Sequence, residues 1–429
     1  MIRSIKLFCL ILCFPIFVQG CGDDLPDDLI AYTNATIWTG TDQPSIENAA
    51  LLIRNGTVFD VVPMTELDLP DTVEEIDMSD RYIIPGLINA HGHVGIARGL
   101  ETGPSIHSEQ NVLDQLQLYA RYGITTVVSL GDEPPEAFTV RDNYNPGDHG
   151  TARLFMSGPV LSPSSPQAAF EDVSELMQHN PDWTKIRVDD NLGRSQKMSP
   201  EVYRAVIEAS HEHEIPLAAH IVALEDAKGL LEANVDLIAH SVRDEPADSE
   251  LIDMMLERDI CITPTLTREI SVFIYSERPD FFDDPFFLRY ADSDVIDQLQ
   301  EPEVQQRYTG TTADYYREAL PLAKENMMAL HNAGIRVILG TDSGPPARFQ
   351  GYFEHLEMEM MQEAGMIPGE ILLSATRYAA ECMLIDDRVG TLVPDKHADF
   401  IVLTENPFSD IQNLRSIEAV YIGGNQVEM

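Results

Sequence analysis

The sequence predicts an α/β fold: a (β/α)8 TIM-like barrel with a small β-sandwich domain assembled from N- and C-terminal segments. Three observations support this. Short apolar runs alternate with helical patterns through the middle of the chain, β-type segments stand at both ends, and residues of metal-binding type recur where the apolar runs stop. Length permits it, since 429 residues accommodate a barrel of about 250 plus an accessory domain.

The first β region covers residues 31–84. Ala49-Ala50-Leu51-Leu52-Ile53-Arg54 leads through Asn55-Gly56 into Thr57-Val58-Phe59-Asp60-Val61-Val62. Asn-Gly between apolar runs is the strongest short hairpin signal. The tail has the same character, in Ala398-Asp399-Phe400-Ile401-Val402-Leu403 and Ala419-Val420-Tyr421-Ile422. Strands at both ends of the chain predict one small domain built from both termini.

Between them, strand candidates are 125–130, 183–188, 215–220, 235–240, 260–264 and 334–340, and helical patterns cover 201–213, 224–232, 313–333 and 354–364. Repeated strand-helix alternation signals a parallel α/β barrel. A doubly wound sheet is the alternative, but no G-x-G-x-x-G opens the first helix. The expected boundaries are a signal peptide at 1–20, the N-terminal part of the sandwich at 21–86, the barrel at 87–386, and the C-terminal part of the sandwich at 387–429. Residues 270–312 break the rhythm. Rich in acids and in aromatics such as Phe281, Phe282 and Phe287, this stretch reads as a lid or as a helical insertion packed on the barrel wall.

Composition narrows the partners. Lys+Arg 28 against Asp+Glu 71 gives a formal net charge of -43, which repels nucleic acid and anionic headgroups. At the start, Arg3 and Lys6 precede an apolar Leu7–Val18 run too short to span a membrane. Gly20-Cys21 then resembles a lipoprotein processing site, with ordinary cleavage after Gly20 as the alternative and Gln19 as a departure. Either way the chain is expected to be exported, as a periplasmic, membrane-anchored or secreted protein, with lipidated Cys21 as the membrane attachment. Only Cys261 and Cys382 remain in the mature fold. No disulfide framework is implied, and both are expected to act as small apolar core residues.

The organising stretch is Ile83-Ile84-Pro85-Gly86-Leu87-Ile88-Asn89-Ala90-His91-Gly92-His93. A buried strand runs straight into two histidines at i, i+2, and such residues share a face. Downstream, Lys185, His220, His240 and Asp342 each end or follow an apolar run, at the strand ends where parallel barrels hold their sites. Any one alone favours a bland reading, a satisfied core histidine or a salt-bridged lysine; together, each on or after an apolar strand, they reverse it and form a ligand set. Four imidazoles and a carboxylate suit zinc first, with iron, nickel, cobalt or manganese also feasible.

These motifs resemble the amidohydrolase superfamily, in particular its imidazolonepropionase-like and prolidase-like branch. The resemblance runs from Pro85-Gly86-Leu87 and His91-x-His93 through Trp183-Thr184-Lys185-Ile186, Ala219-His220, Ala239-His240 and Leu339-Gly340-Thr341-Asp342 to Val389-Gly390-Thr391-Leu392. It implies two divalent metal ions. His91, His93 and Asp342 would hold one, His220 and His240 the other, and an N6-carboxylated Lys185 would bridge them. It further implies a metal-bound hydroxide attacking a carbon-nitrogen bond, with catalytic Asp342 moving the proton. Two departures stand out: Asn89 replaces a common aspartate, and Asp395 replaces a usual glycine.

Substrate recognition is read from two arginines. Arg187 shares a face with Lys185, and Arg243 closely follows His240. Guanidinium groups suit carboxylates, so dipeptides or N-acyl amino acids are expected small-molecule substrates. Against this, Arg187 pairs as simply with Asp189 or Asp190, and Arg243 with Asp244. Ester, lactone or organophosphate hydrolysis at the same site is the alternative activity, and a non-catalytic scaffold the alternative class, disfavoured because no ligand is missing. Assembly into a homo-oligomer is left open.

Overall fold

The structure, a computed structural model, describes residues 25, 26 and 28–429. The signal segment and Cys21 lie outside the described residues. Among the described residues, no helix is long and apolar enough to cross a membrane.

The middle of the chain is a ring of parallel strands. Leu87–Gly92 pairs with Ile124–Ser129, which pairs with Arg153–Met156. Leu161 bridges to Ile186, and Thr184–Arg187, Leu217–His220, Leu237–Ala239 and Cys261–Thr263 follow side by side. The expected strand at 334–340 contributes only a bridge from Val337 to Ile262, yet it completes the circuit. Ala90 N donates to Leu339 O, and Gly92 bridges to Ser343. Side-chain alternation sorts two layers. Ile88, Ala90, Val128, Leu130, Ala218, Leu237 and Ile338 fill one core, closed by the helix Arg377–Cys382, while Leu87, Val127, Ile186, Leu217 and Ile262 pack into the larger core shared with the surrounding helices.

Helices follow the expected patterns closely: Pro200–Glu212, Leu224–Glu232, Thr311–Asn332 and Tyr352–Ala364. The 270–312 stretch is a helical insertion of short turns, among them Pro285–Leu288 and Ser293–Leu299. Phe281 and Phe287 pack ring to ring with Phe349 and Tyr352, so the insertion docks on the loop and helix that follow Asp342.

The terminal segments share one hydrogen-bonded sheet of eight strands, a continuous sheet where a two-sheet sandwich was expected. Its spine is Ile30–Ile37, flanked by Ile46–Arg54 and by Tyr82–Pro85, which carries Phe400–Leu403 and then Ile417–Ile422. Strands three places apart in a flat sheet lie about 14 Å apart. Tyr32 and Tyr421 sit on such strands with rings 5.1 Å apart, so the sheet curls to enclose Tyr32, Phe400 and Tyr421 in its own core. Asp395, at the glycine position, adopts φ 72°, the left-handed region that explains a glycine preference there and that Asp tolerates better than most residues.

One expectation is corrected. Cys261 and Cys382 are not free core thiols but a disulfide, joining a ring strand to the helix that plugs the ring. Both are buried among apolar side chains, which is why they read as core residues, but their Cα atoms lie 6.1 Å apart, within bonding reach.

Candidate metal centre

All six predicted ligand residues lie on the ring strands or just beyond their ends, at one mouth of the ring, and all are buried. Pairing slips by a residue between Asn89 and Gly92, a bulge of the kind that re-aims side chains at sites. It brings His91 and His93 together, with rings 5.7 Å apart. Asp342 Oδ1 lies 2.6 Å from His93 Nε2 and 3.8 Å from His91 Nε2, and these three residues offer ligand atoms within 4.8 Å of one another. The His240 ring lies tilted 4.8 Å from His91, and His220 meets it edge-on at 4.2 Å. Lys185 Nζ reaches within 3.3 Å of His91 Nε2. His240 and Asp342 both have left-handed backbone, φ 74° and 57°, local strain of the kind that collects at functional sites.

Three of the four rings are fixed from behind. His93 Nδ1 donates to Gly131 O at 2.8 Å, directing Nε2 at Asp342. His220 Nε2 donates to Asp189 Oδ2 at 3.1 Å, and His240 Nδ1 pairs with Thr265 Oγ1 at 2.6 Å. Such outer partners orient imidazole ligands and set their tautomers. Where the resemblance leads to an aspartate, Asn89 accepts from His91 N and donates at 2.6 Å to Glu354, which supplies the carboxylate instead.

Electrostatics favour ligand forms. Burial holds His91 and His240 well below the usual imidazole range and pulls His220 down to about 3, leaving neutral rings with free lone pairs. Burial alone would also lower His93, but the Asp342 carboxylate outweighs it and raises it. Asp342 itself, which burial would raise, is held well below the carboxylate range by Arg348 and His93. Burial brings Lys185 from 10.5 down to about 7. Among the described residues no acidic side chain forms an ion pair with it.

The two predicted substrate residues part company. Arg187 is exposed at the mouth, in register with His220, and neither Asp189 nor Asp190 pairs with it. Arg243 is fully buried, 3.1 Å from Glu269 and bonded to Ser241 O, so it does not face an open mouth. Asp244 is no partner either, since it accepts from Leu224 N and Glu245 N.

Sequence reading missed residues 263–269, Thr-Pro-Thr-Leu-Thr-Arg-Glu. Thr263 lies against His91, Thr265 holds His240, Thr267 bonds Glu357, Arg268 approaches Asp342, and Glu269 holds Arg243. The available signal was a run of polar residues directly behind an apolar strand.

An imidazole and carboxylate cluster at the mouth of a parallel α/β ring defines a metal-binding enzyme. The chain belongs to the amidohydrolase family, whose profile matches residues 82–427, and it is a hydrolase of the class acting on carbon-nitrogen bonds. It is 25% identical over 415 residues to imidazolonepropionase of Photorhabdus laumondii, covering 90% of this chain and 92% of that one. Among solved structures it is similar to a Xaa-Pro dipeptidase with bound methionine, with TM-score 0.77 and 21% identity over 94% of this chain and 100% of that one. It is also similar to phenylurea hydrolase B, with TM-score 0.73 and 20% identity over 93% and 97%. These structures share its fold, a TIM-like barrel with an added domain.

Proposed function

We propose that the protein is a binuclear metal-dependent amidohydrolase that cleaves amide or peptide-like C-N bonds of carboxylate-bearing small molecules. The observation that carries this reading is Lys185, buried among four imidazoles without an acidic partner. A mononuclear site has no use for a lysine there. A neutral amine that adds carbon dioxide and releases a proton becomes an anionic carbamate with two oxygens, and the His91, His93, Asp342 set and the His220, His240 set would share it as a donor. The donor chemistry suits zinc. Bound divalent ions would supply Lewis acidity, lowering the pKa of water toward neutrality and polarising the scissile carbonyl.

The chain's own residues do the rest. Asp342 accepts the proton of the attacking water at Oδ1 and delivers it to the leaving nitrogen. Arg348 donates to its Oδ2 at 2.6 Å and fixes the carboxylate plane. Arg187, free at the mouth, steers an anionic substrate inward. Export belongs to the same reading and is supported by the Cys261 to Cys382 disulfide, a bond that persists in oxidising compartments.

The test is metal analysis of the purified enzyme, with turnover on dipeptides and N-acyl amino acids set against lactones, esters and phosphotriesters. Two metals per chain and turnover of the amide panel are expected. One metal, or turnover confined to the esters and phosphotriesters, overturns the reading.

A further inference from the structure

Beside the imidazoles stands a buried arginine that this chemistry leaves unused. Arg268 lies on the short helix Leu266–Ser271, whose start is tied down by the Glu357 carboxylate accepting from Leu266 N and Thr267 N. Its side chain is nine-tenths buried, and no acceptor meets its Nε. Asp342 Oδ2, 3.8 Å from that Nε, is too distant for a hydrogen bond. Its Nη1 meets Glu269 only at 3.4 and 3.5 Å. Tyr316 covers one face of the guanidinium at 4.7 Å.

The local ion pairs leave positive charge in excess, since the Glu357 carboxylate is taken up by the backbone at the helix start. Three guanidinium groups, Arg243, Arg268 and Arg348, face two carboxylates, Glu269 and Asp342. Arginine cannot shed its proton, so the surplus persists at any working pH. A buried donor left unbonded is costly, and more so when charged. In a chain of net charge -43, this surplus is a local feature of the site and not a property of the surface. Environment also decides which arginine binds. A pair of charges attracts more strongly where water is excluded than in water, so exposed Arg187 attracts an anion while buried Arg268 holds one.

We propose that Arg268 is the specificity-determining residue that receives the carboxylate of the substrate beside Asp342. This deepens the reading above and rests on it for the placement of substrate at that aspartate. The ligand class is a small molecule with a free carboxylate next to the scissile amide, bound through the guanidinium edge in the manner of arginine-carboxylate pairs.

The experiment uses the metal-loaded full chain as wild type, R268M, R268Q and R187M. Melting temperature is measured with L-leucine and with L-leucinamide, which differ in the carboxylate alone, and kcat/KM with L-alanyl-L-leucine and L-alanyl-L-leucinamide. Wild type is expected to be stabilised more by L-leucine. R268M should abolish that difference and reduce the preference for the free dipeptide by about thirtyfold or more, chiefly through KM, while R187M keeps the difference in melting temperature. Should R268M not fold, R268Q is judged by the same two ratios. Retained preference in both Arg268 variants, its loss in R187M alone, or equal stabilisation of wild type by both ligands overturns the proposal. Arg268-dependent binding of L-leucine without cleavage of either dipeptide would sustain it and sink the amide chemistry. Cleavage of both dipeptides without preference would do the reverse.

Discussion

The two sides of Asp342 are built on opposite principles. Oδ1 faces the imidazoles of His93, which its own charge raises, and His91, which burial keeps neutral, both supplied by one strand end. Oδ2 faces guanidinium groups that stay charged, supplied by the segments that follow the last two strands of the ring. On the proposed reading, one side is completed by cations and the other by an anion. A metal centre here is therefore a property of the strands, and anion recognition a property of the loops, as expected when a rigid scaffold carries variable specificity.

The harshest way to break the first side is Lys185→Ala. It removes the one side chain able to join the two imidazole sets. Metal content, read by plasma mass spectrometry, should drop, and kcat/KM should fall by about a thousandfold or more. Full metal content with full turnover would mean that the lysine is a buried core residue after all. On the second side, Glu269→Gln leaves Arg243 and Arg268 without their shared anion. Removing one partner of a buried pair costs about 3–5 kcal/mol. Because glutamine keeps an acceptor, a loss near 3 kcal/mol is expected in urea unfolding, with metal content retained.

The same division explains what was legible in the sequence. His91, His220, His240 and Asp342 each sit where an apolar run stops and Lys185 within one, so strand periodicity and the known placement of barrel sites locate them without any tertiary contact. Arg268 has no such marker. Its meaning arises only when Asp342, from a segment 74 residues away in Thr267-to-Thr341 contact with its helix, closes against it. Arg243 was read by its proximity to His240, yet burial against Glu269 turned it from the mouth. The disulfide was hidden for a similar reason: 121 residues separate the two cysteines, and each looks like core until the plug helix meets its strand.

His355 offers a control between the two sides. It too is buried, and burial lowers it to about 4, but its Nε2 donates to Tyr122 O and its ring meets Phe286 of the insertion, away from any ligand. Its folded pKa lies below the unfolded value near 6.5, so between those values the unfolded state binds more protons. The stability it contributes is present above about 6.5 and is lost as pH falls toward 4. In metal-free enzyme, about 2–3 kcal/mol of stability should disappear across that window. His355→Gln should flatten this part of the profile in denaturant titrations at stepped pH. An unchanged slope would show that the acid limb belongs to the ligand imidazoles alone.

The finest separation of the two sides comes from Thr265, which touches both. Its Oγ1 holds His240 Nδ1 at 2.6 Å, and its backbone, at φ 52°, is the corner from which the helix bearing Arg268 departs. A β-branched residue at positive φ is strained, so its retention points to a contact that compensates. Thr265→Val keeps the shape and the strain and deletes only the hydroxyl. Loss of such an outer partner lowers metal affinity about 10- to 100-fold, so chelator competition should register that drop while the preference for L-leucine over L-leucinamide survives in fully loaded enzyme. If both readouts fell together, the imidazole and arginine sides would be one coupled unit, and the division drawn at Asp342 would have to be abandoned.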